Sequence, residues 1–203
     1  MSFLFVSIMP QTAFISTETF TQDEFEAWLA DLPSWDENHY ELINGSVVMT
    51  PPAGWPHGNT GARIVRALGN CAAQQRSGEV FDSSTGYRLP SGDTLEPDVS
   101  FISFARLQAG PPPQRGKFLA IAPNLVVEIL SLPTAARDRT EKKTIYEHNG
   151  VEEYWLVDTD RRVITVFRLS AGRYGPPLTF GPAEVPTSVV LPQLNLLLSE
   201  VFA

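Results

Sequence analysis

Phe25, Trp28, Leu29 and Leu32 recur at i, i+3, i+4 and i+7. That spacing lines one face of a short amphipathic helix. Ahead of it, Thr21-Gln22-Asp23-Glu24 has the S/T-x-x-E form that caps a helix start, and Pro33 ends the pattern. Tyr40-Glu41-Leu42-Ile43 and Ser46-Val47-Val48-Met49 then flank Asn44-Gly45. A hairpin closed by a type I′ turn is expected there. Pro51, Pro52 and Pro56 break the chain before a second helix, from about His57 to Gln75. Its apolar stripe is Ile64, Val65, Leu68, Cys71 and Ala72, with Arg63 and Arg66 beside it.

Strands are expected over 79–82, 86–89 and 98–101, with turn residues between them. Residues 109–117 are rich in Gly and Pro and read as a mobile loop ending in Arg115 and Lys117. Leu125 to Leu130 is an apolar run interrupted only by Glu128, the mark of a central strand covered on both faces. Residues 134–149 read as a polar helix closed by Gly150. A hairpin over 153–157 and 163–169 follows, then a β-segment and a short terminal helix. Together these predict an α/β or α+β fold: a mixed β-sheet flanked by helices, with an N-terminal helix and β-hairpin. Residues 1–16 are expected to form a tail and 17–203 a single domain. The opening MSFLFVSIM lacks a basic start and a cleavage site, so a tail or extra strand is expected, not a signal peptide.

Of the 203 residues, 43% are hydrophobic and 19% charged, which excludes disorder and fibrous classes. One cysteine, Cys71, excludes a disulfide framework and a multi-thiolate zinc site. It fits a reducing, cytoplasmic setting. No apolar run reaches the roughly 20 residues of a membrane span, so no membrane partner is expected. The net charge is −8, unevenly placed: residues 1–62 hold eight acids and no Lys or Arg, and the remainder holds 15 of each sign. Such a chain has no large pool of cations for tight, non-specific binding to a polyanion. A local basic groove in the second part stays open.

Glu128 carries the most chemical information. A carboxylate inside Leu-Val-Val-Glu-Ile-Leu must be buried, and an unpaired buried charge costs several kcal/mol. It is either half of a structural ion pair or a metal-binding carboxylate. Asp98, in Glu96-Pro97-Asp98, stands where Pro97 fixes a strand entry. Two neighbouring strands can bring Asp98 and Glu128 to one hard divalent ion, Mg²⁺ or Mn²⁺. Glu41 either points to solvent from the hairpin or supplies a third carboxylate. Arg139, Lys142 and Tyr146 fall at i, i+3 and i+7 on one helix face. They form a solvated stripe, or Lys142 orients an attacking water or offsets charge on a phosphate. Lys143 lies about 100° away in helical phase. His57 is a helix-start residue or a site residue. No phosphate-cradling Gly loop, H-E-x-x-H or nucleophile elbow is present.

The ordered series resembles the Uma-type restriction-endonuclease family within the PD-(D/E)XK nuclease superfamily. It runs from Tyr40-Glu41-Leu42-Ile43-Asn44-Gly45 and Pro97-Asp98-Val99 to Pro123-Asn124-Leu125-Val126-Val127-Glu128-Ile129-Leu130-Ser131. Arg137-Asp138, Lys142 with Tyr146, and Gly150-Val151-Glu152-Glu153-Tyr154-Trp155-Leu156-Val157-Asp158 continue it. The resemblance implies a metal-dependent endonuclease acting on nucleic acid, with DNA expected. It implies Asp98, Glu128 and the Ile129 carbonyl as Mg²⁺ (or Mn²⁺) ligands, with Glu41 as the extra acidic residue. It also places a His near His57. The superfamily's lysine would stand two residues after Glu128, where this chain has Leu130. The resemblance maps it instead to Lys142 on the following helix. Arg137, Arg139, His57 and Tyr146 are then expected near substrate, and a homodimer is expected if both DNA strands are cut. The alternative is a nuclease-fold module that binds nucleic acid or a protein and no longer cuts. A small-molecule enzyme using buried carboxylates is a third, unrelated reading.

Overall fold

The structure, a computed structural model, describes residues 14–203. Strand β1 (Phe14–Thr19) precedes helix α1 (Gln22–Ala30). The capping box forms: Thr21 N–H donates to Glu24 Oε2 at 2.8 Å, and Glu24 N–H donates to Thr21 Oγ1 at 3.3 Å. Of the expected tail over 1–16, residues 14–16 belong to β1, and the remainder lies outside the described residues. Strands β2 (His39–Ile43) and β3 (Ser46–Thr50) form the expected hairpin. Asn44 and Gly45 both take positive φ, 51° and 80°, as a type I′ turn requires.

Helix α2 (His57–Gln75) leads into β4 (Gly78–Asp82), β5 (Tyr87–Arg88), β6 (Thr94–Leu95) and β7 (Val99–Ser103). Helix α3 (Phe104–Ala109) follows, then β8 (Leu125–Ile129). The next helical run has three parts: α4 (Ala135–Arg137), a π-helical turn (Asp138–Lys142) and α5 (Lys143–His148). Strands β9 (Glu153–Asp158), β10 (Val163–Ser170), β11 (Arg173–Tyr174) and β12 (Leu178–Phe180) and helix α6 (Leu198–Val201) complete the chain.

The fold is mixed α/β with two sheets. The larger has the order β11-β10-β9-β8-β7-β4, with β12 also on β10, and is antiparallel except for β8 against β9. The smaller, antiparallel sheet has the order β1-β3-β2-β6-β5. The expected single mixed sheet corresponds to the larger one. The smaller sheet is closed by β5 and β6, two residues each and too short to leave a period in the sequence.

Alternation along β8 divides the core. Leu125, Val127 and Ile129 pack with Ile64 and Leu68 of α2 and with the C-terminal segment. Val126 points the other way, among Tyr146, Tyr154 and Ile43. A third apolar cluster, Phe25, Leu42 and Val47, lies between α1 and the small sheet. Glu128 falls on the Val126 face by the period of two, between the two sheets.

Candidate functional site

The registers of the central strands bring the acids together. Val99 pairs with Val127 across β7 and β8, and the ladder runs antiparallel. One step further along, Asp98 stands opposite Glu128 on the same face. On the other side β8 pairs with β9 in parallel, Glu128 beside Leu156. A parallel pair needs a crossover connection. Here the crossover is the α4–π-turn–α5 run, and it carries Lys142 over the carboxylates.

The Lys142 ammonium lies 2.7 Å from Glu128 Oε1 and 2.8 Å from Glu41 Oε1. Asp138 Oδ1 is 3.9 Å away. Tyr146 donates its hydroxyl hydrogen to Glu128 Oε1 at 3.0 Å. Glu41 Oε1 also accepts the Glu96 N–H at 2.9 Å, which ties β2 of the small sheet to the entry of β7. Asp98 Oδ2 accepts the Ile129 N–H at 2.7 Å and lies 3.2 Å from His57 Nε2. His39 Nδ1 meets Glu96 Oε2 at 3.0 Å.

Burial sets the electrostatics. Glu41, Glu128, Asp138 and Lys142 are all buried. Burial pushes the Glu128 carboxyl well above the usual carboxylate range, against the pull of Lys142. Burial lifts Asp138 to about 6, again with Lys142 opposing. Burial works against the charge on Lys142, but Glu128 and Glu41 outweigh it and hold the ammonium well above its ordinary value. For His57, burial disfavours the imidazolium, yet the hydrogen bond to Asp98 prevails and raises its pKa. One buried cation thus serves three carboxylates, too few charges to keep all three ionised at no cost.

The acids face a cleft of about 570 Å³. Glu41, Asp98, Glu128, Ile129, Lys142 and His57 all line it. Tyr146 is fully buried behind Glu128 and holds that carboxylate, so it does not reach the cleft. Arg137 and Arg139, expected near substrate, are not among the lining residues. Arg139 pairs with Asp158 at 3.2 Å, and Arg137 lies 3.9 Å from Glu141. The reason is the π-turn, which changes the helical phase. The inward stripe is Asp138, Lys142 and Tyr146, each four residues apart, and Arg139 falls outside it. Lys143 points elsewhere, over the Phe167 ring at 4.4 Å.

Three residues of the site, His39, Glu96 and Asp138, carry no role in the sequence motifs, although Glu96 and Asp138 stand within them. Their signals are weak but present. His39 shares the face of Glu41 at i−2, and Asp138 stands one helical turn before Lys142.

A hard divalent cation fits this donor set. Asp98 Oδ1 and Glu128 Oε2 make no hydrogen bond among the described residues. Two carboxylates and a strand-end carbonyl are all-oxygen ligands, and Mg²⁺ usually takes one or two carboxylates with water completing its shell. No group of three or more His, Cys, Asp or Glu side chains is arranged to hold a metal among the described residues. An all-protein cage of that kind is what Mg²⁺ ordinarily dispenses with.

The mixed α/β fold, with acids on adjacent strands under a crossover helix, matches a nuclease-like fold. The family model described as "Putative restriction endonuclease" matches residues 22–199, and the chain belongs to that family, Uma2. The fold is also similar to the crystal structure of "a putative nuclease belonging to DUF820" from Anabaena variabilis ATCC 29413. The TM-score is 0.73 at 23% identity, over 90% of this chain and 97% of the other. That likeness shows the fold. Among curated proteins no relative matches. No helix of the described residues is long and apolar enough to cross a membrane.

Proposed function

We propose that this chain is a Mg²⁺-dependent nuclease that hydrolyses phosphodiester bonds in the cleft between its two sheets. The observation that carries the reading is Glu128 with Lys142 at 2.7 Å, on the sheet face that also holds Asp98. Asp98, Glu128 and the Ile129 carbonyl would hold the ion, with Glu41 directly or through water. The ion, when bound, supplies an acidic water and a positive charge for the scissile phosphate. The chain's own groups do the rest. Lys142 holds Glu41 and Glu128 in place with two of its three N–H bonds, and the third can orient a water. Tyr146 fixes the rotamer of Glu128 through its hydroxyl. Asp98 is anchored by the Ile129 N–H, which leaves its second oxygen toward the cleft.

The test is a cleavage assay on single-stranded DNA, duplex DNA and RNA, with Mg²⁺, Mn²⁺ or EDTA. Metal-dependent cleavage that Glu128→Gln and Asp98→Asn abolish supports the reading, provided both variants stay folded. No cleavage by a folded, metal-binding wild type would favour a module that binds without cutting. The engagement of Lys142 by two carboxylates favours that second reading, since it leaves the ammonium few hydrogens for a substrate. Scission of both strands of a duplex would require two sites and hence a homodimer, which light scattering would report.

A further inference from the structure

The two most exposed large apolar side chains of the described residues are Leu132, at 99%, and Trp55, at 87%. They come from separate loops, β8–α4 and β3–α2, yet both line the cleft that holds Asp98 and Glu128. A single exposed apolar residue needs no explanation. Two that line one candidate site, one of them a tryptophan, do.

The charges of the cleft narrow the choice of ligand. No arginine lines it among the described residues, and its one lysine, Lys142, is buried between Glu41 and Glu128. Its two histidines, His39 and His57, are each paired with a carboxylate, Glu96 at 3.0 Å and Asp98 at 3.2 Å, and Asp160 adds only negative charge. Duplex DNA is held mainly through its phosphates, by lysine and arginine. This cleft lacks them. A single strand offers something else, the open π-faces of its bases. Stacking of one base on an aromatic ring is worth about 1–3 kcal/mol and does not depend on sequence. In a duplex those faces are covered, and opening them costs a few kcal/mol.

We infer that the cleft takes a single-stranded or locally unpaired nucleic-acid strand, with a base stacked on Trp55 and its neighbour resting on Leu132. This rests on the nuclease reading above and names its substrate class. Trp55 is a specificity residue: it delivers the strand, and the carboxylates act on it.

The experiment is fluorescence anisotropy with a short labelled oligothymidylate, its uncharged methylphosphonate analogue and the matching duplex, all in EDTA. The wild type should bind the single strand about ten-fold or more tighter than the duplex, and the methylphosphonate at least as well as the phosphodiester. Trp55→Ala should weaken single-strand binding by about 5–150-fold, and Trp55→Phe should retain most of it. Trp35→Ala is the control, because Trp35 is exposed but does not line the cleft. Its binding should match the wild type. Wild-type affinity in Trp55→Ala would overturn the inference and leave the patch to a protein partner. So would equal affinity for duplex and single strand, or no binding of either. Trp55-dependent binding without metal-dependent cleavage would refute the nuclease reading alone. Cleavage of single strand and duplex by Trp55→Ala at the wild-type rates would refute this inference alone.

Discussion

Removing the charge of Lys142 should cost this protein much of its stability. Lys142→Met keeps most of the side chain's bulk and deletes the ammonium. In the native protein that ammonium sits 2.7 Å from Glu128, 2.8 Å from Glu41 and 3.9 Å from Asp138. All three carboxylates are buried. Without the cation they face one another in a low dielectric. Removing one partner of a buried pair costs about 3–5 kcal/mol. A domain has about 5–15 kcal/mol in all. With an m-value of roughly 2 kcal/mol per molar urea, the unfolding midpoint should fall by about 2 M.

The same reasoning fixes the pH dependence. Burial raises Glu128 and Asp138, the latter to about 6. Near pH 5 these groups take up protons more readily in the folded state than in the unfolded one, so the missing ammonium matters less. The measurement is urea unfolding of wild type and Lys142→Met in EDTA, at about pH 5 and about pH 7.5. The deficit should shrink at the lower pH. Adding Glu128→Gln to the variant should recover part of the loss, because one of the unpaired charges is gone. Equal midpoints for wild type and variant near pH 7.5 would refute the ion-cluster account, as would a deficit unchanged by pH. Loss of cleavage in any Lys142 variant therefore bears on chemistry only when the folded fraction is measured beside it.

Asp138→Asn should act in the opposite direction. An acid whose folded pKa is raised from 3.8 to about 6 weakens the folded state as pH rises between those values. Chemical unfolding in EDTA should show the variant gaining on wild type by about 2 kcal/mol from pH 4 to pH 7, and no gain would refute the shift. Glu153→Ala should cost about 3 kcal/mol or more by urea unfolding. Glu153 is fully buried, accepting from Val189 N–H at 2.8 Å and Ser188 Oγ–H at 2.6 Å, with Arg168 at 3.3 Å. Gly45→Ala and Gly78→Ala should separate two costs of a methyl group by thermal melts. At Gly45 only the positive φ of 80° is strained, for about 1–2 kcal/mol, since the methyl would meet nothing closer than 3.7 Å. At Gly78 it would fall 2.1 Å from the Ile102 carbonyl oxygen, so backbone must move and about 3 kcal/mol is lost.

What could be read from the sequence was whatever local chemistry decides. The His57–Gln75 helix follows a proline at 56 and carries a clean apolar stripe, and its observed span is the expected one. The Asn44-Gly45 turn needs two positive φ values, and few other dipeptides supply them. Glu128 in its apolar run had to be a central strand residue, and β8 lies between β7 and β9. The remainder depends on which elements meet. No periodicity in the chain shows that β2 belongs to a second sheet whose Glu41 reaches the Lys142 of a distant crossover. The π-turn hides for a related reason: a heptad-like spacing of Arg139, Lys142 and Tyr146 assumes a regular helix. The structure instead turns Asp138 inward and Arg139 outward.

Leu130 stands where a strand lysine would rise beside Glu128, and Lys142 reaches that same face from the helix. Residue 130 follows Glu128 by two along the strand and so shares its face. A lysine there would rise from the strand end beside the acids. In this chain Leu130 packs partly against the Tyr146 and Tyr154 cluster, and its N–H donates to Val157 at 2.9 Å. The parallel pairing of β8 with β9 forces the intervening chain across this same face. Any long cation on the inward side of that crossover, one turn before Tyr146, ends at the carboxylates. The helix also gives the ammonium two acids from different sheets, Glu41 and Glu128, whereas a strand lysine would approach from β8 alone. Lys142 is therefore at once the charge of the site and the tie between the sheets, which is why its removal should be felt in stability before it is felt in chemistry.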